Sequence, residues 1–96
     1  MSKLRSKNLG LSVRLYVAGH APNSLQAIAN ARAICDAHLA SEFELEIVDL
    51  LENPRQGLAD GIVVTPALPR LQPLPIRRLV GNLSDADQVL LVLSSQ

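Results

Sequence analysis

The 96 residues predict an α/β fold in the order β-α-β-α-β-β-α around a mixed four-stranded sheet. Three observations carry that expectation. Leu11, Val13, Leu15 and Val17 alternate with Ser12, Arg14, Tyr16 and Ala18, the period-two pattern of a strand. Ile28, Ala31, Cys35 and Leu39 step by three and four, the stripe of a helix packed on one side. Later, Ile62–Val63–Val64–Thr65–Pro66 and the run 76–80 are rich in β-branched and apolar residues and bounded by prolines. Such runs predict two short strands joined by a tight loop.

The length allows one domain with one core. Hydrophobic residues make up 48%, yet Tyr16 and Phe43 are the only aromatics, so the core has to be aliphatic. A net charge of zero gives no bulk attraction to nucleic acid or to an anionic membrane. The charges are nonetheless segregated. Lys3, Arg5 and Lys7 open the chain; Asp36, Glu42, Glu44, Glu46, Asp49, Glu52 and Asp60 crowd the middle; Arg70, Arg77 and Arg78 follow. That distribution serves solubility, or two oppositely charged docking faces. The single cysteine, Cys35, excludes an internal disulfide and a cysteine-based metal framework. The longest apolar run, 89–93, is too short to span a bilayer, and no apolar signal region follows the basic start. A cytoplasmic protein is expected, with residues 1–10 as a flexible basic leader and 11–96 as the domain.

Along the chain, Gly19–His20–Ala21–Pro22 ends the first strand, and a helix is expected from Asn23 or Ser24, either of which can cap its first turn. Leu25 is expected to join its buried stripe, with Gln26, Asn30 and Ala33 on the other side and Cys35 inward as a small buried hydrophobe. Phe43, Leu45 and Ile47 alternate with Glu44 and Glu46 in a second strand. Asn53–Pro54 starts a short second helix, because proline at the first helical position sacrifices no useful donor. Gly57 weakens that helix and Gly61 ends it. Thr65–Pro66 is a candidate cis peptide, the form that costs only about 0.5–1 kcal/mol before proline. Ser84 can cap a final helix, with Asp85 and Asp87 near its positive end. Ala86, Val89 or Leu90, and Leu93 fit a helical stripe, although 89–93 also suits a buried strand. With a helix at the end, the order matches the thioredoxin-like arrangement.

Catalytic signals are scarce. A thioredoxin-type enzyme places its reactive cysteine at the start of the first helix, where the helix dipole lowers the thiol pKa, and this chain has Gly19–His20–Ala21–Pro22–Asn23–Ser24 there. Ser24 could polarise a bound thiol, with Tyr16 and the Thr65–Pro66 turn holding a glutathione-like backbone; a cap explains Ser24 without chemistry. His20 and His38 form no metal pair, and Glu44 and Glu46 share a solvated strand face. No cofactor, metal or catalytic residue is expected, and no enzyme.

Leu15–Tyr16–Val17–Ala18–Gly19, Pro22–Asn23–Ser24, Val48–Asp49, Asn53–Pro54, Thr65–Pro66, Pro75–Ile76–Arg77–Arg78, Gly81 and Leu83–Ser84, in this order and spacing, resemble the circadian clock family KaiB. The match runs over about residues 11–93. The resemblance implies binding rather than catalysis: such proteins dock on the ring of the ATPase KaiC, help to hold KaiA out of action, and compete with the thioredoxin-like domain of the kinase SasA. It also implies two folds, a tetrameric ground state ordered βαββααβ and a rarer thioredoxin-like monomer that binds KaiC and regulates its phosphorylation rhythm. Carried onto this sequence, it makes Arg70, Leu74, Pro75, Arg77 and Arg78 the candidate partner contacts. Gln26 and Gly61 stand where relatives often have a basic residue, which weakens docking on an acidic surface.

Two residues bear on the choice of fold. Pro69 lies where the ground state needs a helix, and proline inside a helix costs up to about 3 kcal/mol. Val92 replaces a glycine common in relatives, which removes roughly 1 kcal/mol of opposition to a terminal helix. Both favour a thioredoxin-like monomer over the tetramer. The competing expectation is a thiol- or glutathione-binding protein of the same fold without redox cysteines.

Overall fold

The computed structural model describes residues 11–38 and 43–94; the leader 1–10 and Leu39 lie outside them. The elements are β1 (Leu11–Val17), α1 (Pro22–His38), β2 (Phe43–Asp49), α2 (Pro54–Ala59), β3 (Ala67–Gln72), β4 (Arg77–Val80) and α3 (Ala86–Ser94). One four-stranded sheet runs in the order β2-β1-β3-β4. β1 and β2 are parallel, as a helical crossover requires, whereas β3 runs antiparallel to both β1 and β4.

Alternation along β1 divides the sheet into two faces. Val13, Leu15 and Val17 meet Ala27, Ala31 and Ile34 of α1, Leu68 and Leu79 of the hairpin strands, and Val89 and Leu93 of α3 in a single aliphatic core. Arg14 and Tyr16 turn to the other face. Cys35 is buried within the inward side of α1, and burial together with the Asp36 charge pushes its thiol pKa up. The last segment is a helix, with Val89 and Leu93 inward.

Several boundaries depart from the sequence expectation. α1 begins at Pro22, and Ser24 is not its cap; the Ser24 hydroxyl accepts the Ala18 amide at 3.0 Å, tying the end of β1 to the first helical turn. Leu25 is exposed, and the buried stripe passes through Ser24, Ala27, Ala31, Ile34 and Cys35 instead. At α3 the cap is Asp85, whose carboxylate accepts the Gln88 amide at 3.1 Å; Ser84 lies one residue too early.

The largest correction concerns the third strand. Residues 62–66 form no strand, 64–66 being bends, and pairing begins only at Ala67. The register explains why: Tyr16 faces Ala67 one residue from the end of β1, so residues before 66 run past that strand. Val63 is 90% exposed, so its β-branched shape has no face to pack against. The strand uses Ala67–Gln72 despite Pro69. Ser12 pairs with Gln72 but Val13 with Arg70, which leaves Leu71 as a bulge on β3 two residues beyond the proline.

Candidate functional site

The β3–β4 hairpin brings most of the expected contact residues together. The peptide bonds Gln72–Pro73 and Leu74–Pro75 in the connection are cis, as is Thr65–Pro66 just before β3. Leu74 at its tip is 74% exposed, and Pro75, Ile76, Arg77 and Arg78 follow at the surface. Arg78 is anchored, since its guanidinium donates to the carbonyls of Asp60 at 3.0 Å and Gly61 at 3.4 Å. Gly61 adopts φ of 71°, a conformation that favours glycine, and so turns the corner after α2 toward β4.

Arg70 does not belong with the exposed group. It pairs with Val13, so its side chain enters the core face, and its exposure is 0%. There the guanidinium donates to the carbonyls of Val92 at 3.3 Å, Leu93 at 3.2 Å and Pro75 at 2.8 Å. The first two are carbonyls of the last turn of α3, at the negative end of the helix. Arg70 therefore holds the terminal helix and the hairpin loop to one strand, and in this conformation it offers no charge to a partner. Pro69 lies in β3 and Val92 on the partly buried side of α3.

On the opposite sheet face lies a polar cluster that sequence reasoning missed. Tyr16, itself fully buried, donates its hydroxyl hydrogen to the Asp60 carboxylate. Arg14 bridges Asp60 at 2.9 Å and Glu46 at 2.9 Å, and both carboxylates raise its already high pKa against the opposing effect of desolvation, the largest single influence. The signal was available: Arg14 faces Glu46 in the parallel register of two period-two strands. Asp60, far along the chain, carried no such signal.

At the start of α1 the residues considered for thiol binding are engaged within the fold. Ser24 is 1% exposed and holds the Ala18 amide, while the Tyr16 hydroxyl is engaged with Asp60. Asp49 closes the same corner by accepting the amides of Gly19 and Leu51, each at 2.9 Å. Among the described residues, no group of three or more His, Cys, Asp or Glu is placed to hold a metal, and no helix is long and apolar enough to cross a membrane.

These features define a thioredoxin fold with a serine-bearing, cysteine-free helix start and an exposed basic hairpin. Yeast mitochondrial thioredoxin 3 has the same fold with a TM-score of 0.73, at 10% identity and covering 93% of this chain and 81% of the thioredoxin. The N-terminal domain of Synechococcus elongatus SasA superposes with a TM-score of 0.74 at 27% identity, covering 93% of this chain and 88% of that domain. The KaiB domain profile matches residues 14–95. The circadian clock oscillator protein KaiB of Prochlorococcus marinus (strain MIT 9313) is 41% identical over 81 residues, 84% of this chain and 68% of that protein. KaiB of Synechococcus elongatus (strain ATCC 33912 / PCC 7942 / FACHB-805) is 40% identical over 81 residues, 84% of this chain and 79% of its own length. The chain belongs to the KaiB family.

Proposed function

We propose that this is a non-enzymatic clock-type binding protein, monomeric and thioredoxin-like, that docks on the ring of a KaiC-type ATPase and regulates its phosphorylation rhythm. A SasA-type kinase competes for that surface, and KaiA is the further partner. The observation that supports this reading best is the presentation of Leu74, Pro75, Arg77 and Arg78 on one exposed hairpin. Likeness to the SasA N-terminal domain supports the competition, because two proteins of one fold can present equivalent surfaces to one partner. Arg70 is left out of the interface. Its place is inside, where it holds in register the strands that display the other four.

The test is size-exclusion chromatography of the purified protein with KaiC, with and without the SasA N-terminal domain. A complex is expected, displaced by that domain, and the double variant R77A/R78A should weaken it by about tenfold or more. Absence of any complex after a day of incubation overturns the reading.

A further inference from the structure

β4 is the last strand of the sheet, and among the described residues nothing pairs with its outer side. The ladder shows which groups that edge presents. Gly81 donates its amide to the Pro66 carbonyl at 3.0 Å, and the pairs Ala67–Val80, Leu68–Leu79, Pro69–Arg78 and Arg70–Arg77 follow in register. Antiparallel pairs alternate between exchanging backbone bonds and facing away. Leu79 and Arg77 therefore turn their backbone groups toward β3, while Val80 and Arg78 turn theirs outward. The side chains on these two outward positions are exposed, as is Ile76 before them.

The two edges of the sheet carry opposite charge. β2 has Glu44, Glu46 and Asp49 with no basic residue. β4 has Arg77 and Arg78 with no acid, and the whole stretch 61–84 contains neither Asp nor Glu. An extended segment added at β4 would gain main-chain hydrogen bonds from the edge, apolar contact with Ile76 and Val80 on one face, and attraction from Arg77 for alternating carboxylates on the other. Basic segments are poor occupants for the same reason. We propose, building on the docking reading above, that the outer edge of β4 binds an extended acidic segment of a partner protein as a fifth strand, through the outward backbone groups of Arg78 and Val80.

The assay uses isotopically labelled protein and a capped peptide alternating valine with glutamate, observed by amide NMR and hydrogen exchange. The Arg78 and Val80 amides should shift and exchange at least about tenfold more slowly at millimolar peptide. The glutamine and lysine counterparts of the peptide should bind more weakly, and added salt should weaken the glutamate peptide. V80P removes an outward donor while leaving the bonds between β3 and β4 in place, and should abolish the protection with the remaining spectrum unchanged. If V80P disturbs the fold, the peptide series on the unaltered protein decides alone. Unchanged Arg78 and Val80 amides, equal binding of the lysine peptide, or protection arising from self-association through β2 each overturn the assignment. No KaiC enters this assay, so its failure leaves the docking reading standing, and failure of KaiC to bind leaves the peptide result standing.

Discussion

The Arg70 guanidinium, carried on a strand inside the sheet, donates to the Leu93 carbonyl oxygen 3.2 Å away, at the far end of the terminal helix. Through the neighbouring bond to Pro75 the same group reaches the hairpin loop. A buried cation is costly unless it is hydrogen-bonded, and here carbonyls at the negative end of a helix and in the hairpin loop accept from it. Replacing Arg70 with methionine keeps much of the volume but strands those carbonyls, so a loss of about 2–4 kcal/mol is expected. R70K keeps the charge without the planar fork and should lose about half as much. Urea denaturation gives the magnitude, and amide exchange should show residues 92–94 loosening first. Equal stability of R70M and the unaltered protein would mean that the contact contributes nothing.

Tyr16 and Arg14 converge on Asp60 from one strand, and Arg78 holds the Asp60 main chain from another. Y16F leaves the carboxylate one donor short in a part-buried site and should cost about 1–2 kcal/mol. D60N keeps the shape but removes the charge facing Arg14, with a loss of similar size, because the pair is largely shielded from water. E46Q, at the more exposed end of the cluster, should cost less than about 1 kcal/mol. A double-mutant cycle between Y16F and R14M, followed by chemical denaturation, measures the coupling through Asp60. Strict additivity would show that the three groups do not act together.

Cys35 supplies a pH prediction. Burial first, and the Asp36 charge second, raise its thiol pKa above the ordinary value. The folded protein thus holds a neutral thiol under conditions where the unfolded chain ionises. The resulting stabilisation is complete below the unfolded thiol pKa, near about 8.5, and is lost as pH rises through the higher folded value. C35A should flatten the alkaline fall in stability while lowering stability at neutral pH by about 1 kcal/mol, from the lost sulfur packing. A thiol-specific disulfide reagent should react with native protein far more slowly than with protein in urea. Equal rates would place the thiol at the surface.

The sequence was most informative where a single pattern had a single packing solution. Alternation at 11–17 and 43–49 described β1 and β2, and the stripe through Ala31 and Cys35 described α1 because each has one apolar side. It misled where chemistry and register disagree. Residues 62–65 have the side chains of a strand but lie beyond the reach of β1, whereas Ala67–Gln72 contains a proline and yet lies inside the sheet. Position along β3 and β4, not residue type, put Arg70 inside and Arg78 outside: a cross-strand partner decides the face, and that partner is unknown until register is set. Asp60 joins Tyr16 only because the α2 corner folds back across the sheet, a long-range contact that no local period encodes.

Pro69 and Val92 bear on how firmly the second half of the chain keeps this arrangement. Pro69 stands opposite Arg78 in a pair whose backbone groups face away from β4, so its missing N–H removes no bond on that side; on the β1 side, between the pairs Val13–Arg70 and Tyr16–Ala67, it forgoes one ladder bond. Its cost in this fold is therefore confined to one ladder position, while in a helix interior it would be about 3 kcal/mol. Val92 sits within α3 and is partly buried. V92G forfeits its packing and adds the backbone entropy of glycine, together about 1–2 kcal/mol against this form. P69A removes the main obstacle to a helix at the same position. Neither change alone is expected to move the population visibly, but the pair narrows the gap between the two arrangements by several kcal/mol, the scale on which two-fold proteins are poised. P69A/V92G should therefore show slow-exchange doubling of amide signals over residues 67–94, with helical secondary shifts near residue 69 in the new set and a larger species in light scattering. A double variant that keeps one set of signals and one monomeric mass up to millimolar concentration would show that other residues hold the strands in place.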